Sequence, residues 1–387
     1  MSSKTTRLFF IDAMRAWAIL MMLQGHFVDG LLDNVFRDAS STPYQVWKYF
    51  RGITAPVFFT VSGFIFTYLL IRVPQKGFHN PRVKKGLRRG LQLILIGYLL
   101  RLNIFGLFKG QLYGSFFLVD VLHIIGLSLI GIITIYLITY KNPKYLFPGI
   151  LITTACLLFA FEPVYKTWEY SLIPDMVANY FTRANGSVFT IIPWFGYTAL
   201  GSVLSIVFTR FKDHKYVYTW AIPLSALAGF TLIFYSSPLF VFLYKHTGLA
   251  LFNQIYSNNY LFIRMGDVLV VFAAFMLIRN WVRSRTVLRI GQNTLSIYVI
   301  HFVILYGSFT GMGLYRFFHH SLNPTMTITG ALVFMVACSY SALLYEKHEA
   351  VIKRKINQLG FLAWTAVEAS YFFLKAYILR VIKAKRA

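Results

Sequence analysis

The chain has 387 residues, of which 57% are hydrophobic, 18% aromatic and only 13% charged. A soluble domain of this size carries about twice that charged fraction, so a soluble enzyme is excluded. The net charge of +25 sits in short loops between apolar runs, which points to membrane topology before nucleic acid.

Apolar runs of about twenty residues recur from end to end, the pattern of a polytopic membrane protein. An all-α integral membrane bundle of about ten transmembrane helices is predicted over residues 1–355, with a C-terminal amphipathic, basic segment over residues 356–387. No linker, fixed-period repeat or low-complexity tract interrupts it. "MSSKTTRLFF" has no small-residue cleavage site after its first apolar run, so that run reads as a retained span.

The first span, Phe10 to Leu32, carries Asp12, Arg15, His26 and Asp29. Asp12 and Arg15 are three apart and share a face. Arg15 and His26 are eleven apart, about 1100° of helical rotation, so they also share it, roughly 16 Å apart along the axis. Asp29 continues the stripe. Charged groups inside a span usually face the bundle interior and have partners. A stripe that only fixes packing is the bland alternative.

The second span, Val46 to Ile71, contains Pro56, Ser62 and Gly63, read as packing residues. The third runs from Leu87 to Leu107, and the fourth, Phe116 to Thr139, holds Asp120 and His123 three apart. The fifth, Tyr145 to Phe161, is the shortest. The sixth, Val188 to Phe208, has Pro193, Gly196 and Gly201, again packing residues. The seventh spans Val217 to Tyr235. The eighth, Tyr260 to Ile278, holds Arg264 and Asp267, a self-neutralising pair read as structural. The ninth, Ile290 to Phe309, has Asn293 near one face, then Tyr298 one turn before His301, an imidazole that a neighbouring carbonyl would also satisfy. The tenth is Thr325 to Tyr345. Beyond it, Leu359 to Ile382 is interrupted by Glu368, Lys375 and Arg380 and reads as an interfacial helix, with an eleventh span as the alternative.

Alternate loops are strongly basic. One set includes Lys4 and Arg7, Arg82 through Arg89, and Arg279 through Arg289; the other is sparse. The positive-inside rule puts the basic set, and with ten spans both termini, in the cytoplasm. The basic loops after spans two and eight suit a phosphorylated ligand, and equally suit topology plus anionic lipid. Cys156 and Cys338, the only cysteines, lie in apolar runs, so no disulfide and no cysteine metal site is expected. Phosphate-loop, dinucleotide, metal-spacing and nucleophile-elbow motifs are absent. What remains is a base near neutral pH, His26, and a permanent cation, Arg15, suited to an oxygen-rich anion or oxyanion.

Five stretches, "FIDAMRAWAILMMLQGH", "PVFFTVSGFIFTYLL", "DVLHIIGLSLIG", "IIPWFGYTALG" and "IGQNTLSIYVIHFVILYG", together resemble the multipass membrane acyltransferase superfamily. It includes acyltransferase family 3 and the heparan-alpha-glucosaminide N-acetyltransferase-like proteins. The resemblance runs from Arg7 to Tyr345, and the third and fourth stretches look closer to the glucosaminide branch. Ala16 stands where glycine often follows the arginine of the family pattern.

The resemblance implies transfer of an acyl group, usually acetyl, from cytoplasmic acyl-coenzyme A (acetyl-CoA) to a sugar hydroxyl or amine, in the bilayer of a bacterial inner membrane. His26 would be the catalytic histidine, with Arg15, Asp12 and Asp29 as its site partners. His301, His123, Asp120 and Tyr298 are candidates on the acceptor side. Arg82, Lys84, Lys85, Arg88, Arg89, Arg283 and Arg285 are candidates for the coenzyme A phosphates. No metal is expected, and the oligomeric state stays open, a homodimer included. His26 acts either as general base or as a transient acyl carrier. A proton-coupled transporter or exporter of a sugar- or lipid-linked substrate is the rival reading, because it too places Asp, Arg and His inside spans.

Overall fold

The structure, a computed structural model, describes residues 8–38 and 40–384, and beyond residue 355 the side chains of Gln358, Thr365 and Glu368 alone. Lys4 and Arg7 lie outside the described residues. So do the tail side chains, Lys375 and Arg380 included, on which the amphipathic reading rests.

All ten apolar runs are helical, and no strand occurs among the described residues. The principal helices are α1 (Phe9–Leu31), α2 (Thr42–Ile71), α3 (Pro81–Arg101), α4 (Val121–Thr139), α5 (Leu146–Ala160), α6 (Ile191–Phe211), α7 (Val217–Thr247), α8 (Tyr260–Leu277), α9 (Arg285–Gln292), α10 (Thr294–His301) and α11 (Pro324–Ala384). Among the described residues, six stretches are long and apolar enough to cross a membrane, and a seventh if α9 and α10 with its extension to Tyr306 count as one bent span. Helices α1 and α3 have the length but not the apolar composition, α1 because its charged and polar residues lower its mean hydropathy and α3 because it carries too many charges, and α5 has only 15 residues.

Helix α1 tolerates its charges because protein surrounds it. It packs against α2, α8, α9, α10 and α11, and Met14, Ala18, Ile19 and Leu23 are fully enclosed. Helix α2 is the second hub, laid against α1, α6 and α8. Where α2 and α6 cross, Gly63 abuts the Thr198 carbonyl and Gly201 abuts the Thr60 carbonyl, leaving no room for a Cβ at either glycine. Small residues set such close approaches between membrane helices. Helices α3 and α4 pair, α5 covers α6, and α7 lies along α8 on the periphery.

Three spans differ most from the hydropathy reading. The third span begins earlier and ends at Arg101. Asn80 caps its start by accepting from the Arg82 N–H at 2.9 Å, and Asn103 nucleates a separate short turn by accepting from the Gly106 N–H at 2.9 Å. The seventh span continues twelve residues further to Thr247 and stops at Gly248, whose φ of 70° closes the helix. The ninth is broken: α9 and the α10 segment meet at 69° across Asn293. Past His301 the chain continues as a π-helical turn, Phe302–Tyr306, ended by left-handed Gly307. Helix α11 runs on without a break through Ala384, so no helix boundary separates the tail from the tenth span.

Candidate functional site

Two cavities lie along α1. One, at the His26 end of α1 and called outer after the side that the charge pattern predicts, is about 630 Å³ and is walled by His26, Arg51, Leu100, Asp120, Tyr306 and the loops around Asn103, Arg183 and Phe309. The inner one, about 840 Å³, is walled by Arg15, Thr294 and the basic first half of α3. Phe58 and Tyr298 line both.

His26 sits five residues, about one and a half turns, before the end of α1. Its Nδ1 is 2.8 Å from the Tyr306 hydroxyl, which the π-helical turn after α10 delivers to it. No bond to His26 Nε2 is formed among the described residues. The His301 ring stands edge-on to His26, centroids 5.2 Å apart and planes at 87°. His301 is fully enclosed, and neither of its nitrogens has a well-formed hydrogen bond. Extra-turn π segments recur at functional sites because they re-aim side chains that a regular helix would misplace.

Arg15 shares the helical stripe with His26 but opens on the other cavity. It donates to the Thr294 hydroxyl at 3.0 Å and lies 3.7 Å from Asp12. Asp29 lines neither cavity; it pairs with the Arg51 guanidinium, and its backbone carbonyl accepts from Arg37. Arg51 and Asp120 line the same cavity as His26.

Asp120 caps α4 by accepting from the Leu122 N–H at 3.2 Å. It also meets His123 Nδ1 at 3.0 Å and Arg101 Nε at 3.2 Å. His123 is fully buried, its ring 4.4 Å from that of Tyr98, in a space that exists because residue 97 is glycine. Tyr298 is buried beside His301, ring centroids 4.8 Å apart.

Of the basic candidates, Arg82, Lys84, Lys85, Arg88 and Arg89 line the inner cavity. Arg283 and Arg285 line neither; Arg283 donates to Asn280 at 3.3 Å. Arg264 and Asp267 pair at 2.8 Å and line neither cavity, although the Arg264 guanidinium lies against Gly52 of the outer one, and Asp267 also accepts from Tyr49 at 2.7 Å.

Sequence reasoning missed Arg51, Arg101, Tyr306 and Phe58. Arg51 and Arg101 fall within the bounds drawn for spans two and three, and the rule that singled out Arg264 selects them too. Tyr306 and Phe58 gave no signal among 25 tyrosines and 38 phenylalanines.

The arrangement offers a base beside arginines in one chamber, a ring of fixed cations in the other, and two aromatic residues between. Residues 8–344 match the model of acyltransferase family 3, described as an acyltransferase domain. The match ends within one residue, on either side, of the stretch over which the resemblance was seen. No curated protein matches the chain.

Proposed function

The chain belongs to acyltransferase family 3, and from that premise we propose that it moves an acyl group, acetyl in the simplest case, from cytoplasmic acyl-coenzyme A to a carbohydrate. The inner cavity receives the donor. Arg82, Lys84, Lys85, Arg88 and Arg89 supply fixed positive charge for its phosphates. The uncharged pantetheine arm runs past Phe58 and Tyr298 into the outer cavity, where His26 and the acceptor meet the thioester.

With Nδ1–H donating to Tyr306 Oη, His26 presents its Nε2 lone pair. Nε2 takes the proton of the acceptor hydroxyl as that oxygen attacks the thioester carbon. Arg51 steadies the oxyanion. The carbon–sulfur bond then breaks, and coenzyme A leaves as the thiol with the proton His26 had taken. In the variant route Nε2 attacks the thioester carbon, the carbon–sulfur bond breaks and coenzyme A departs as thiolate; the acceptor hydroxyl then attacks the acyl-imidazolium, the N–acyl bond breaks, and the hydroxyl proton goes to the thiolate. Arg15 stays on the donor side and, through Thr294, ties α1 to α10.

The observation that supports this reading above the others is the pair of cavities, basic on one side, histidine-bearing on the other, sharing Phe58 and Tyr298. The purified protein in lipid nanodiscs, given radiolabelled acetyl-CoA and a panel of sugars, should transfer label. His26→Ala should lower turnover by about 10²–10⁴-fold while still binding coenzyme A. Wild-type turnover in that folded variant removes His26 as the catalyst. Neither coenzyme A binding nor label transfer by the wild-type protein removes the donor assignment.

A further inference from the structure

We propose that the outer cavity takes an acceptor bearing a negative charge, a carboxylate or phosphate, next to the hydroxyl that is acylated. The inference rests on the reading above and names the class of its acceptor.

The ionised groups of the lining are Arg51, Arg101 and Arg183 against one carboxylate, Asp120. Asp120 is committed. Its side chain, 5% exposed, is shared among Arg101, His123 and the Leu122 N–H. No carboxylate of the lining is therefore left to receive an ammonium group, which argues against a cationic amino sugar.

The arginines are differently placed. Arg101 is cancelled by Asp120. Arg51 is held by Asp29, which lies outside the lining. The side chain of Arg51 stays 40% exposed, so donors of its planar fork remain open. Arg183 has no carboxylate partner among the described residues. Its Nε and Nη2 donate to the Val188 carbonyl at 3.2 and 2.8 Å. A neutral carbonyl aims the guanidinium without cancelling its charge, and Nη1 keeps its donors. An aimed, uncompensated guanidinium on the exposed rim of the lining recognises carboxylate or phosphate oxygens, often through two parallel bonds. Tyr113, Trp194 and Phe309, in the same wall, give a sugar ring aromatic faces to lie against. A neutral sugar would leave the excess charge of this chamber unanswered.

The test uses the full chain in nanodiscs with labelled acetyl-CoA and matched acceptors: a neutral hexoside, the corresponding hexuronoside and a hexose phosphate. The last two separate carboxylate from phosphate. One acidic acceptor should exceed the neutral one in kcat/KM by about ten-fold, the scale of one hydrogen bond to a charged group. The advantage should lie in KM and shrink as salt is added. Arg183→Gln should cut the acidic-to-neutral ratio by about ten-fold, and Arg183→Lys by less. Equal or better use of the neutral acceptor overturns the proposal, as does an Arg183→Gln variant that weakens all acceptors alike. Acetyl-CoA hydrolysis is followed in parallel. Hydrolysis with no transfer to either acidic acceptor sinks the acceptor class and leaves the donor site standing. Absence of hydrolysis, transfer and coenzyme A binding together sinks the donor assignment and this inference with it.

Discussion

A histidine can serve as a base only through the nitrogen that its neighbours leave free. At His26 the Tyr306 hydroxyl takes Nδ1, which fixes the ring plane and leaves Nε2 for the proposed chemistry. Tyr306→Phe keeps the aromatic body, which packs against Phe302 and Tyr315, and removes only that anchor. Its kcat should fall by about ten- to a hundred-fold with KM little changed, as expected when a reacting group is misplaced by a fraction of an ångström to an ångström. An unchanged kcat would assign Tyr306 to packing. His301 poses the converse question. A buried imidazole with no well-formed hydrogen bond costs stability, so an apolar replacement of similar size is neutral or stabilising. His301→Phe should therefore hold or raise the thermal midpoint in detergent. If His301 receives protons from His26, the same variant loses at least about ten-fold in turnover; full turnover would leave His301 a packing residue.

Helices meet here through backbones as much as through side chains. At the α2–α6 crossing Gly63 and Gly201 each face a carbonyl of the other helix. Gly201→Val should cost about 1–3 kcal/mol of overpacking and lower the thermal midpoint by several degrees. Gly149 in α5, with nothing near its missing Cβ, serves as control: Gly149→Ala should leave the midpoint unchanged or raise it. An equal loss in both variants would mean that helix propensity, not the crossing, is being measured. The same contrast explains what the sequence disclosed. Each of the ten apolar runs that hydropathy picked out is helical, though only six or seven pass as spans, because burial in lipid or protein writes itself into twenty-residue averages. Periodicity found the polar stripe of α1, because i+3 and i+11 neighbours are local. Hydropathy missed the ends set by Asn80 and Asn103 and the break at Asn293, which depend on single capping bonds and turns. It missed the partners too. Arg51 finds Asp29 across 22 residues, and His26 finds Tyr306 across 280, and no local pattern encodes such a pairing. That Arg15 and His26 open onto different cavities follows from what packs beside α1, not from α1.

At the scale of the whole molecule, one question joins topology to chemistry: whether the positive charge of α3 is there to orient the chain or to hold a ligand. The positive-inside rule accounts for basic loops anywhere on the cytoplasmic side. It does not ask that they face a cavity. Yet Arg82, Lys85 and Arg89, spaced three and four residues apart on one face of α3, line the chamber that holds Arg15, whereas Lys215, also in a basic loop, lies against Tyr216 away from both chambers. The two explanations separate under substitution. Neutralising Lys85 and Arg89 together to Gln should raise the Kd for coenzyme A by about ten-fold or more, the scale of charge-assisted phosphate contacts. The effect should be smaller for 3′-dephospho-coenzyme A, which offers one phosphate fewer. Lys215→Gln should leave both values unchanged, since a distant exposed charge is screened within about 10 Å at 0.1 M salt. Binding by titration calorimetry in nanodiscs reads all three. Should the double variant bind coenzyme A like the wild type, the basic face of α3 serves orientation alone. The donor would then have to enter elsewhere, and the shared wall of Phe58 and Tyr298 would lose its meaning as a passage. Should it lose both forms equally, the charges act as a diffuse field and not as contacts to particular phosphates. A graded loss, larger for the ligand with more phosphates, is what a donor chamber requires.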